Sequence, residues 1–182
     1  ILPWSVKDKV CVVTGASAGI GKQVALGLAR EGARVVIVSH SKERAEAAVD
    51  EIVHTSLNPH VDLVIADLSS QVGVRQAAAE IDRRYGQLHV LINNAGLLIG
   101  KRRLTADGIE ATFALNHLAY FLLTNLLLDK LLLSTPARII NTSSSAHTMA
   151  RFEWDNLQGE RRYRQMRAYG NSKLENLLFT YE

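Results

Sequence analysis

Short runs of β-branched and aliphatic residues alternate along this chain with longer stretches whose apolar positions recur at helical spacing. Val10 to Thr14 is an unbroken run closed by Gly15, the pattern of a strand buried on both faces. A helical pattern follows from about Ile20 to Arg30 and is stopped by Gly32. Arg34 to Ser39 predicts the second strand, and Ser41 to about Thr55 the next helix, with Lys42, Glu43 and Arg44 on its outer side. Val61 to Ala66, Leu88 to Asn93 and Ala137 to Thr142 predict strands three to five. Ser70 to Tyr85, closed by Gly86, predicts the helix between strands three and four. Thr105 to Leu133 predicts two helices with a break near Asn116. Strands separated by helices imply crossover connections, and therefore a parallel sheet covered on both faces. The expected architecture is a single doubly wound α/β domain over residues 1–182.

Two features break the rhythm. Residues 145–166 form a polar, irregular insert carrying Phe152, Trp154 and several arginines, the kind of excursion that is either functional or mobile. The chain then stops at Glu182, inside a helical stretch whose Leu174, Leu177, Leu178 and Phe179 make an apolar face that needs a partner. The expectation is a chain cut short, without its C-terminal strands.

Composition narrows the function. With 47% hydrophobic and 21% charged residues the chain is globular, not disordered. The net charge of +3 is mild, and Arg151, Arg161, Arg162, Arg164 and Arg167 match no nucleic-acid-binding pattern. They read first as a solvated face and second as an anion site. The single cysteine, Cys11, lies in an apolar run and reads as a core residue. No Cys/His ligand spacing appears, so no metal is expected. Leu118 to Leu133 is punctuated by Thr124, Asn125, Asp129 and Lys130 and falls short of the ~20 apolar residues of a span. It therefore reads as a buried helix, with no transmembrane segment. The start, Ile1-Leu2-Pro3-Trp4, lacks both an initiator Met and a signal pattern, and a cytoplasmic location is the default expectation.

Candidate chemistry collects at the strand ends. Thr14-Gly15-Ala16-Ser17-Ala18-Gly19-Ile20-Gly21 follows strand one directly and opens a helix. Glycines there let the backbone approach a pyrophosphate, and the helix start offers free N–H groups and a positive dipole end. Ser39-His40, Asp67-Leu68, Asn93-Asn94-Ala95-Gly96 and Ser143-Ser144 fall at the carboxyl ends of strands two to five, where doubly wound sheets bind ligands. Each alone is as easily a turn or a helix cap. Tyr169 and Lys173 stand four residues apart, on one face of a helix. An ammonium fixed beside a phenol favours the phenolate, and the pair suits general acid/base work.

Taken together, TGASAGIG at 14–21, Asp67-Leu68, NNAG at 93–96, Asn116, IINTSSS at 139–145 and YGNSK at 169–173 resemble the short-chain dehydrogenase/reductase family. Asn156-Leu-Gln-Gly-Glu and Ser172-Lys-Leu-Glu-Asn-Leu-Leu-Phe-Thr look most like its retinol-dehydrogenase-like branch, which also carries a long insert before the tyrosine. The resemblance implies a Rossmann-type fold and a nicotinamide cofactor held by Gly15, Ser17, Ala18, Gly19, Ile20 and Gly21. Asp67 would lie near the adenine and Asn93 near the adenosine ribose, with Leu68, Ala95 and Gly96 also among the cofactor contacts. Tyr169 would exchange a proton with the substrate oxygen, and Lys173 would hold the nicotinamide ribose. Ser144 would bond the reacting carbonyl or hydroxyl, and Asn116 would keep a water in a relay behind the lysine. Association into homodimers or homotetramers is also implied, as is a small lipophilic alcohol, aldehyde or ketone as substrate. Where an NAD-selecting carboxylate would end strand two, the chain has Ser39, His40 and Lys42, which favours NADP, with NAD possible. Glu175 stands where the branch usually has a small residue, and is expected either to alter helix packing or to face solvent. The alternative reading is a non-catalytic dinucleotide-binding or assembly protein.

Overall fold

The computed structural model describes residues 4–182, so the Ile1-Leu2-Pro3 start lies outside it. Five strands, β1 (Val10–Thr14), β2 (Arg34–Ser39), β3 (Val61–Ile65), β4 (Val90–Asn93) and β5 (Arg138–Asn141), form one sheet in the order β3-β2-β1-β4-β5. All four pairings are parallel. The order reverses between β1 and β4, which opens a crevice at their carboxyl ends. This is the doubly wound sheet expected from the alternation, and of the Rossmann type that the resemblance implied.

Helices cover both faces. One core layer packs β1, β2 and β4 against α1 (Gly19–Arg30) and α2 (Lys42–Ser56) through Val13, Ala25, Ile37 and Ile52. The other packs Val12, Val36, Leu91 and Ala95 against α3 (Gln71–Arg84) and α5 (Ala119–Leu133) through Ile81, Leu123 and Leu127. Cys11 is fully buried, and burial pushes its thiol up to about 12, as suits an inert core residue.

The predicted break near Asn116 does not occur. Instead α4 (Ala111–Phe113) runs through a π-helical turn, Ala114–Leu118, into α5 as one continuous helix, Ala111–Leu133. Asn116 sits inside the wide turn because its side chain is pinned to the loop after β4. Its Oδ1 accepts from Leu97 N at 2.8 Å, and its Nδ2 donates to Leu97 O at 3.0 Å. By length and apolar composition alone this 23-residue helix could cross a membrane. Here Tyr120, Leu123, Leu127 and Leu131 are buried, as in a core helix, while Phe121, Leu128 and Leu132 are exposed.

The insert is more ordered than its composition implies, holding 3-10 turns at Ser145–Met149 and Trp154–Asn156 before α6 (Gln165–Tyr181) begins. Glu175 does not face solvent. Its Oε2 is buried without a partner, and burial, with the Glu110 carboxylate adding to it, raises its carboxyl to about 7. A folded value above the ordinary 4.5 means that stability is fully present at low pH, is lost as pH rises from about 4.5 to about 7, and stays low beyond. Glu175→Gln should therefore stabilise the chain by roughly 1–3 kcal/mol above neutrality and by much less in acid. Thermal unfolding of both proteins in acid and in mild alkali checks this; an equal difference under both conditions would contradict it.

Candidate functional site

The glycine turn is built by close backbone approach. A β-carbon on Gly15, whose φ is +67°, would stand 2.7 Å from Ala95 Cα, and one on Gly21 would stand 2.6 Å from Gly15 O. Thr14 ties the turn to the loop after β4. Its hydroxyl accepts from Asn94 N at 2.9 Å and Ala95 N at 3.0 Å, and its carbonyl accepts from Asn94 Nδ2 at 3.0 Å. The helices that start along this edge differ in one respect. Side-chain oxygens of Ser41, Ser70 and Glu110 cap α2, α3 and α4, whereas α1, like α6, has no side-chain cap. A β-carbon on Gly19 would meet nothing within 4 Å, so the open helix end faces free space. An uncapped N-terminus beside a glycine cradle suits a phosphate.

At the end of β2, Ser39 is buried and its hydroxyl is bonded to Ser17 Oγ at 3.1 Å. It therefore braces the turn and leaves the surface to Ser17, His40 and Lys42, the last two exposed. Lys42 stands only 3.7 Å from Glu46, an exposed pair of little strength. Lys22, just past the turn, is committed to Glu51 at 2.7 Å.

Lys173 is the most unusual group in the crevice. Its ammonium is buried and forms no ion pair among the described residues; it donates to Thr142 O at 3.0 Å. Tyr169 lies one helical turn away, with its ring centroid 5.6 Å from Nζ. Burial lowers Lys173 to about 8, so the cation is held below that pH and lost above it. Gly96 passes directly over this group: a β-carbon there would lie 3.1 Å from Asn116 Oδ1 and 3.7 Å from Lys173 Nζ. Tyr120 places its ring 5.8 Å from the same ammonium, but burial raises its phenol, which stays neutral.

The serines after β5 face α6. Ser143 donates to Lys173 O at 2.8 Å, while Ser144 caps the following 3-10 turn by accepting from Ala146 N at 3.2 Å. Gly170, next to Tyr169, lets that turn press on the helix, since a β-carbon there would be 2.8 Å from Ala146 O.

Three of the predicted positions have buried side chains. Asn93 is fully buried, and its amide donates to Thr124 Oγ1 and Asn141 Oδ1, joining β4 to α5 and β5. Its side chain thus lies inside the sheet layer and not in the crevice. Leu68 is a core residue, whereas its neighbour Asp67 is exposed. Ser39 is hidden behind Ser17, as described. A cavity of about 260 Å³, lined by Leu68, Ile109, Leu118 and Phe121 among others, includes none of the glycine-turn residues, Tyr169 or Lys173. Thr14, Thr142 and Asn176 were not predicted as site residues, although Asn176 falls three residues beyond Lys173 on the same helical face.

A family profile described as short chain dehydrogenase matches residues 9–156. The chain belongs to the short-chain dehydrogenase family. Human retinol dehydrogenase 11 is 47% identical over 174 residues, 96% of this chain and 55% of that protein. Mouse retinol dehydrogenase 12 is 45% identical over 177 residues, 97% of this chain and 56% of that protein. The chain thus spans a little over half the length of these curated relatives. Among solved structures, the Pseudomonas aeruginosa RhlG/NADP active-site complex superposes with a TM-score of 0.77 at 30% identity, covering 96% of this short-chain dehydrogenase and 65% of that chain.

Proposed function

We propose that this chain forms an NADP site and interconverts a carbonyl and an alcohol on a lipophilic substrate, with Tyr169 as the general acid/base. The observation that carries the reading is the buried Lys173 ammonium without a carboxylate partner, one helical turn from Tyr169. A buried cation left without counter-charge is costly, and such a cost is met where a ligand or a reacting group needs the charge.

When bound, the nicotinamide supplies hydride transfer to or from the substrate carbon. The glycine turn and the uncapped start of α1 hold the phosphates. Ser17, His40 and Lys42 receive the 2′-phosphate at the end of β2, where no carboxylate repels it. Lys173 holds the nicotinamide ribose hydroxyls and favours the phenolate form of Tyr169. Ser144 donates to the substrate oxygen. In the reducing direction the Tyr169 hydroxyl gives its proton to that oxygen, and in the oxidising direction it takes the proton back. Asn116 holds the loop after β4 beside Lys173 and would keep a water in a relay behind the lysine.

The names of the relatives support a lipophilic alcohol or aldehyde, and so do the exposed Leu97 and Leu98 beside Gly96 and the exposed Met149 and Trp154 of the insert. A homodimer or homotetramer through α5 and α6 accompanies this reading, supported by the exposed Phe121, Leu128, Leu132 and Leu178. The test is NADPH consumption with a panel of long-chain and cyclic aldehydes and ketones. Turnover that rises with the apolar size of the carbonyl compound is expected. Absence of NADPH-dependent reduction, with the nucleotide bound, would leave a binding protein in place of an enzyme.

A further inference from the structure

The stripe that carries Tyr169 and Lys173 has a third member, Asn176, whose side chain is fully buried. Its Nδ2 donates to the Asn116 carbonyl at 2.9 Å and reaches the Thr142 carbonyl at 3.4 Å. The second acceptor is the one that holds Lys173, at 3.0 Å. Asn116 lies in the π turn, where carbonyls leave the regular helical ladder and need partners from elsewhere. One carboxamide therefore joins the π turn to the carbonyl after β5 that is also the lysine's acceptor.

We infer that Asn176 is a positioning residue, which fixes the Lys173 ammonium under Tyr169 by clamping the Asn116 and Thr142 carbonyls. Its orientation follows from chemistry: two carbonyl oxygens require the NH₂ end, which leaves Oδ1 toward His117 Nδ1 at 3.1 Å. His117 must then carry its proton on Nδ1 and donate to Asn176. Burial lowers the His117 imidazole, which keeps it neutral, and Phe113 stacks on it with ring centroids 5.8 Å apart. The titratable groups facing Lys173 are Tyr169 on its own helix and Tyr120 on α5, with His117 beyond the amide. No carboxylate among the described residues pairs with Lys173, so its ammonium is placed by the Thr142 carbonyl. Without the clamp, the Thr142 carbonyl that holds the ammonium loses its tie to the π turn.

This inference rests on the dehydrogenase reading only for its effect on turnover, and its primary test needs no turnover. Nitrogen NMR of the unsubstituted chain reports which His117 nitrogen is protonated. Nδ1 is expected, and protonation at Nε2 would overturn the network. Asn176→Asp keeps the shape but, when ionised, loses the donor and puts a carboxylate within about 6 Å of the ammonium. The Lys173 titration midpoint, followed by carbon NMR of labelled lysine, should rise by a pH unit or more. An unchanged midpoint in the folded variant would overturn the proposal, and if that variant does not fold the tautomer result decides. Turnover, where present, should fall at least 10-fold in Asn176→Asp with KM for the carbonyl compound little changed, and recover partly as pH drops and the new acid is protonated. A pH-independent loss would indicate packing alone and contradict the positioning role.

Discussion

Tyr169→Phe is expected to lower turnover by about 10²- to 10⁴-fold, the range for losing a positioned general acid/base, while the NADPH dissociation constant stays within about twofold. The small effect on binding follows from the site's construction. The phosphate cradle is made by Gly15, Gly19, Gly21 and the α1 start, none of which touches the phenol. Ser172 bonds the Tyr169 backbone carbonyl at 2.8 Å and Lys173 bonds Thr142, so neither contact depends on the hydroxyl. Tyr120 cannot substitute, because its own hydroxyl is buried without a partner and its phenol is held neutral. Steady-state kinetics beside a binding titration checks both halves, and comparable turnover in the variant would remove Tyr169 from the mechanism.

Gly21→Ala is expected to weaken nucleotide binding about 100-fold and to cost the fold about 1–3 kcal/mol, the range for overpacking a tight contact. The added carbon would sit 2.6 Å from Gly15 O and 2.5 Å from Asn94 Nδ2. Gly15 has no room to retreat, since its amide donates to Val38 O at 2.8 Å and its own Cα side lies against Ala95. The turn must therefore open, which spreads the N–H groups offered to the phosphates. Gly27, further along the same helix, is the control: a carbon there meets nothing within 4 Å. Gly27→Ala should leave binding intact and stabilise by about 0.5–1 kcal/mol. Equal losses in the two variants would show that α1 helicity, and not the close approach at Gly21, governs the site.

The strands and the phosphate turn were legible in the sequence for a local reason. Buried parallel strands such as Val35 to Val38 are continuous apolar runs, and a tight turn before a helix demands glycine whatever the tertiary context. Features set by distant partners were not legible. The π turn at Asn116 depends on Leu97, nineteen positions earlier, and nothing in the local sequence distinguishes it from a helix break. Asn93 looks like a site residue because it ends a strand beside a glycine, yet its amide is taken up by Thr124 and Asn141. Ser39 stands where a cofactor-selecting residue belongs, and only its bond to Ser17 reveals a bracing role. Glu175 stands out in sequence, but which of its two expected fates it meets is decided by helix packing, which leaves one oxygen unpartnered.

A calorimetric titration of the 182-residue chain with NADPH and, in parallel, NADH tests the central claim most directly. The account predicts NADPH binding at least 10-fold tighter than NADH, because the end of β2 presents Ser17, His40 and Lys42 and no carboxylate. NADH binding as tightly as NADPH or more so would contradict the selection at β2, and binding of neither would contradict the nucleotide site itself.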